Sequence, residues 1–360
     1  MRLKQTWTIF LGISLCTSLL FIISYTLSTP DEDPFAYGES SKYFKSKNLI
    51  VVGTVKDAAT TLPSTLPILD RLTHHFNRTK FIIFESNSKD NTLDILLGWK
   101  GSDDHKVILH GDELVSDAFG TRREDKLTEY RNLLLRHAQK HMPSDGDAVL
   151  MSIDLDIQST VNPWDFILHE VFVGVAREGN DLVCLNAVIP ETGAMRDTYA
   201  IVDTNNVWFK AFIYEMRRAS TLSYLPKRIR YLWWKYNSVI ERRHTVGQQP
   251  QRLAWRLISF ATELWSPRFV DVKSCFGGLA FYTSLQRITE SRCKYVHWAE
   301  MMAMAEPNDY DAALVLHQFR RDPNIALDRD KTCEHIPFNL CLYNHGMKAA
   351  ISRHSELLFE

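Results

Sequence analysis

The sequence predicts an α/β protein built on a mostly parallel central sheet with helices on both faces. Three observations predict it. Apolar runs of strand length alternate with stretches of helical period through the first half of the chain. The runs are continuous rather than alternating, as in strands covered on both sides. And 360 residues at 45% apolar and 24% charged suffice for a sizeable folded core.

Each element can be justified in order. Leu49 to Gly53 is the first interior strand, followed by a helix from Leu62 to His74 with Leu62, Leu66, Leu69 and Leu72 on one stripe. Phe81 to Phe84 is a second strand, Thr92 to Trp99 a second helix and Lys106 to His110 a third strand. Thr121 and Glu124 form a capping box that opens the next helix, whose inward stripe is Leu127, Tyr130, Leu134 and Ala138. Arg131 lies on or beside that buried stripe, where a cation is costly unless paired. It is either a structural partner for a core carboxylate or an arginine at a site edge that holds an anion. Ala148 to Ile153 is a fourth strand and runs straight into Asp154-Leu155-Asp156. Residues 164–176 read as helix, Leu182 to Leu185 and Val270 to Ser274 as strands, and the C-terminal third as mixed helix and loop.

Residues 7–28 contain no charge, and at 1.5 Å per residue they reach roughly 33 Å, enough to cross a bilayer. Arg2 and Lys4 precede them and Asp31, Glu32 and Asp33 follow, so the body of the chain should be lumenal. A cleaved signal peptide would have a shorter apolar core and a small-x-small site, which is not found. The expected organisation is a cytoplasmic tail (1–6), a signal anchor (7–28), a polar stem (29–47) and a lumenal body (48–360) with halves 48–205 and 206–360. Five cysteines follow the anchor, so at most two disulfides form and one thiol is left over. Asn77-Arg78-Thr79 is a glycosylation acceptor pattern. Residues 208–256 interleave aromatics with eleven Lys or Arg. They read as a solvated helical face, a flap over a sugar or anionic ligand, or a membrane-surface contact.

With 42 Lys plus Arg against 43 Asp plus Glu, nucleic acid is not an expected partner. The chemistry centres on Asp154 and Asp156. Along an extended backbone, residues i and i+2 point to the same side, so both carboxylates can converge on one hard cation such as Mg²⁺ or Mn²⁺. Their place beyond a strand's carboxyl end is where open α/β sheets bind ligands. Two reactions use such a pair. A haloacid-dehalogenase-type phosphohydrolase needs Thr at the fifth position, where this chain has Gln158. Nucleotide-sugar transfer fits better, because Glu85 to Thr92 places a carboxylate and a polar turn before a helix N-terminus. The same turn is equally read as a plain helix cap.

Phe81 to Thr92, Tyr130-Arg131-Asn132 and Asp147 to Asp156 together resemble the fungal capsule-associated α-1,3-mannosyltransferases, glycosyltransferase family 69. Met195 to Tyr199, Ser274 to Gly278 and Cys333 to His335 extend the resemblance. It implies a GT-A fold, a single-pass type II Golgi membrane setting, a GDP-mannose donor, a divalent cation and a glycan or glycoconjugate acceptor. By the same resemblance Glu85, Ser88 and Asp90 contact the nucleoside and Arg131 faces the diphosphate. Asp154 and Asp156 hold metal and ribose, and Arg196 and Asp197 orient the sugar. Ser274, Phe276, Gly277 and Gly278 line the sugar or acceptor pocket. His335 is the expected third metal ligand, and Glu334 the general base if configuration inverts. Departures from the family, such as Phe276-Gly277-Gly278 where Trp-Asn-Gly is common, bear on donor and acceptor more than on fold. The alternative is a catalytically silent lumenal scaffold of a glycan-polymerase complex. Assembly with other glycosyltransferases is compatible with either.

Overall fold

The computed structural model describes residues 37–111, 123–144, 147–155, 157–160, 164–189, 194–195, 200, 202–203, 269–296 and 333–359. The expected anchor 7–28, the segment 208–256 and the site candidates Asp156, Arg196 and Asp197 lie outside them. Among the described residues no helix is long and apolar enough to cross a membrane.

The chain alternates as expected through its first half. Helix α1 (Tyr37–Lys45) leads into β1 (Asn48–Val55), α2 (Leu62–Arg71), β2 (Arg78–Glu85), α3 (Thr92–Lys100), β3 (Lys106–His110), α4 (Arg123–Lys140) and β4 (Ala148–Asp154). Then come β5 (Ile157–Thr160), α5 (Trp164–Ala176), β6 (Leu182–Ile189) and the two-residue strands β7 (Ala194–Met195) and β8 (Val202–Asp203). The last elements are β9 (Phe269–Ser274), β10 (Leu279–Tyr282), α6 (Leu285–Ser291), α7 (His335–Asn344) and β11 (Ala349–Phe359).

One sheet gathers the strands in the order β3-β2-β1-β4-β10-β6-β11-β9-β8, with β5 on β11 and β7 on β6. Alternate residues of β1 serve opposite faces. Ile50 and Val52 join a core with Leu134 and Ala138 of α4, Leu285 of α6 and Phe338 of α7. Leu49 and Val51 join a second core with Phe44 of α1, Leu66 of α2 and Ile167 of α5. Every residue of β1 is buried, which is why Leu49 to Val52 at its centre are all apolar.

Three expectations are corrected. The sheet is mixed rather than mostly parallel: β3, β2, β1 and β4 are parallel, but β10 runs antiparallel to both β4 and β6. The C-terminal third is not only helix and loop, since β10 and the eleven-residue β11 sit inside the sheet. The far end of the supposed stem is folded, because α1 packs Tyr43 5.3 Å from Phe172 and Phe44 5.2 Å from Phe76. Among the described residues two disulfides form, Cys184–Cys275 and Cys293–Cys341, and Cys333 is the buried cysteine outside both.

Candidate active site

From β1 the chain winds outward to β2 and β3, then returns to place β4 on the other side of β1. Connections that part in this way leave a crevice beyond the strand ends, the switch point of an open α/β sheet. Thr54 and Asp154 face each other across β1 and β4 at that point. The Asp154 N–H donates to the Gly278 carbonyl at 2.9 Å, which holds the end of β4 against the turn before β10. Gly278 has φ +77°, a conformation that glycine adopts without steric penalty.

Below Asp154 lies a buried ionic cluster. Arg131, only 4% exposed, donates from Nη2 to Asp154 Oδ1 at 2.9 Å, from Nη1 to Ser152 Oγ at 3.2 Å and from Nε to Glu334 Oε1 at 2.6 Å. The Phe276 ring lies 4.8 Å beneath the guanidinium carbon. Burial alone would lower the arginine's pKa, but Glu334 and Asp154 outweigh it and raise it, so the charge is fixed. Of the two readings open for Arg131, the buried structural pair is the one found. All its guanidinium nitrogens are engaged, so it faces carboxylates rather than a diphosphate.

Helix α7 begins beside this cluster. Glu334, at its N-cap, is 6% exposed and held by Arg131, so it does not open to an acceptor hydroxyl as a general base would. His335 is fully buried, stacked on Phe276 at 3.7 Å and met edge-on by Tyr295. Neither ring nitrogen has a hydrogen-bond partner, and burial followed by Arg131 pushes its pKa well down, which keeps it neutral. His335 Nε2 lies 3.7 Å from Glu334 Oε1, but Asp154, Glu334 and His335 do not bring three ligand atoms to within 4.8 Å of one another. Among the described residues the grouping that does is Cys293, Cys341 and His345, whose two sulfurs are bonded to each other. His335 is therefore part of an aromatic sandwich rather than a third ligand beside Asp154. Asp154, at 27% side-chain exposure, is the described carboxylate that fits a hard cation at the crevice.

The opposite rim is a weave of two loops. Glu85, 2% exposed, accepts from the Ser88 N–H at 2.6 Å. Ser88 Oγ accepts from the Asp57 N–H at 2.8 Å, and Asp57 Oδ1 accepts from the Lys89 N–H at 2.7 Å. Asp90 accepts from the Ala59 N–H and from the Thr92 hydroxyl and N–H. Its bond from the Thr92 hydroxyl, chiefly, lowers its pKa. Asp57 and Asn87, one in each loop, hold positive φ, a departure rare outside glycine and common at functional turns. Ser88 and Asp90 thus lock the loops that line the crevice.

The pocket expected from Ser274 and Phe276 is not formed by them. Ser274 is fully buried and donates to Ala200 O at 2.8 Å, while Phe276, 2% exposed, supports Arg131 and His335. Gly277 is buried, and Gly278 accepts the hydrogen bond from the end of β4. Ser152 and Asp57 were not among the expected residues. Asp57 carries the same signal as Asp154, an acid just beyond an interior strand. Ser152 carries none.

No family model and no curated protein matches this chain. Solved structures similar to it include glucosyl-3-phosphoglycerate synthase from Mycobacterium tuberculosis in complex with Mn²⁺, UDP and glucosyl-3-phosphoglycerate. That structure is 15% identical with a TM-score of 0.29, covering 43% of this chain and 49% of that one. The same synthase without named ligands gives 15%, 0.30, 43% and 50%. A mycobacterial protein gives 13% identity and a TM-score of 0.39 over 91% of this chain and 72% of that one. The chain thus spans about half the length of the synthases it matches. Likeness at these scores assigns neither architecture nor chemistry, and the mixed α/β description rests on the strand order and register above.

Proposed function

We propose that the chain is a metal-dependent glycosyltransferase of GT-A architecture that moves a hexose from a nucleotide diphosphate to a glycan. By the resemblance to family 69 the donor is GDP-mannose and the linkage α-1,3. The body would lie in the Golgi lumen behind the anchor at residues 7–28. The observation that carries this reading is Asp154 at the carboxyl end of β4, at the switch point, with its side chain 27% exposed.

Asp154, with Asp156 two residues on, would hold the divalent ion, which would supply charge neutralisation to the diphosphate of the leaving nucleotide. One cation, Arg131, faces two carboxylates, so the cluster keeps a net negative charge that attracts a metal. Arg131 acts as a positioning residue: it fixes the Asp154 rotamer from below. Ser88 and Asp90 tie the two loops together and Glu85 braces the second of them, which would shape the space for a base and ribose.

The purified lumenal region, mixed with Mn²⁺ and a panel of nucleotide sugars, tests this by melting-temperature shift and donor hydrolysis. One donor, GDP-mannose by this reading, should raise the melting temperature, and Asp154→Asn or Asp156→Ala should abolish hydrolysis. Full hydrolysis in both variants would sink the mechanism. One observation favours a silent scaffold instead: Arg131 already occupies Asp154 Oδ1. A scaffold would show no shift with any nucleotide sugar.

A further inference from the structure

We propose that Asn77 carries an N-linked glycan, and that Thr79 keeps its hydroxyl for that attachment rather than for the fold. This rests on the lumenal placement in the reading above. Asn77 is exposed on the turn before β2, with its N–H bound to Lys47 O at 2.9 Å. Its amide makes one long contact of 3.3 Å, to Asn48 Oδ1. Beside it opens a concavity whose lining includes Arg71, Thr73, His74 and His105, so a sugar attached to Asn77 meets space and hydrogen-bonding groups. The concavity is at the amino end of β2, and Asp154 lies at the carboxyl end of β4, which runs in the same direction. The intervening strand is about 23 Å long, so a glycan there leaves the crevice open.

Thr79 supplies the second, independent observation. It lies on β2 opposite Leu49, is 7% exposed, and its Oγ1 has no hydrogen-bond partner. Buried hydroxyls are ordinarily paired, and an unpaired one destabilises. Valine has the same shape and a higher preference for strands, so the fold alone would be better served by valine. What valine cannot supply is the hydroxyl that the Asn-x-Thr acceptor pattern requires. Because that hydroxyl is sealed in the native sheet, attachment has to precede the folding of β2.

The full chain expressed in a eukaryotic secretory cell tests this. The peptide containing Asn77 should carry a glycan mass removable by peptide-N-glycosidase. Asn77→Gln and Thr79→Val should both abolish it, and Thr79→Ser should retain it. Thr79→Val should melt no lower than Asn77→Gln, since both lack the glycan and only the former removes the orphan hydroxyl. A Thr79→Val protein melting several degrees below Asn77→Gln would overturn the inference, because the hydroxyl would then serve the fold. A control sequon on the exposed turn after α3, made by Ser102→Asn with Asp104→Thr, reports the compartment. If the control is modified and Asn77 is not, the inference fails while the lumenal reading stands. If neither is modified, both fail.

Discussion

The Arg131–Glu334 contact joins residues 203 positions apart, and a double-mutant cycle measures what it contributes. Arg131→Met leaves Glu334, 6% exposed, without its cation, and Glu334→Leu leaves the guanidinium with Asp154 alone. Breaking one side of a buried pair costs about 3–5 kcal/mol, because the remaining charge is desolvated and uncompensated. If the sites were independent, the double variant would lose about 6–10 kcal/mol. The structure predicts much less. Removing both charges together leaves only Asp154, whose side chain is 27% exposed and can hydrate. The double variant should therefore lose about as much as either single one, a coupling of about 3–5 kcal/mol. Urea denaturation of the four proteins at neutral pH is the assay. Single losses below about 1 kcal/mol, or additivity within about 0.5 kcal/mol, would refute the buried cluster.

Other expectations follow from the same structure. His335 has its pKa pushed well down by burial and Arg131, whereas the unfolded imidazole titrates near about 6.5. The unfolded chain therefore takes the proton first, and stability should be lost as pH falls below about 6.5. His335→Phe should flatten that slope in urea melts stepped from pH 7 to 5. Removing Cys184–Cys275, which closes 91 residues, should cost up to about 4 kcal/mol and more than removing Cys293–Cys341, which closes 48. Equilibrium denaturation of the two paired-alanine variants gives the order. Gly278→Ala should cost about 1–2 kcal/mol, since φ is +77°, and should also weaken the nucleotide-sugar melting shift by moving the end of β4.

Much of the fold was readable where burial imposes a local period. Strand β3 and helix α5 have the expected limits, because a short apolar run (Val107 to Leu109) and a longer, almost wholly apolar one are both local signals, although β3 is only half-buried at the sheet edge and α5 is buried nearly all round. Strand β11 hides because its sequence mixes Ala350 and Ile351 with Ser352, Arg353 and His354. Its place in the sheet comes from β6 and β9, which are distant in sequence. Four-residue β10 follows two glycines and looks like a loop. At the site, Arg131's burial was legible from its helix face. The identity of its partners was not, since no local pattern links residue 131 to residue 334. Phe276 shows the same limit: an aromatic beside glycines suggests sugar stacking, and only the packed core reveals that its face is taken by His335.

Strand β10 lies between β4 and β6, yet it is made more than a hundred residues after β4. During synthesis, one hydrogen-bonding edge of β4 must wait unpaired until residues 279–282 leave the ribosome. A truncated N-terminal piece would keep that edge raw, prone to pairing with another copy of itself. Late, long-distance closure of this kind slows maturation and makes the nascent chain a natural client for chaperones.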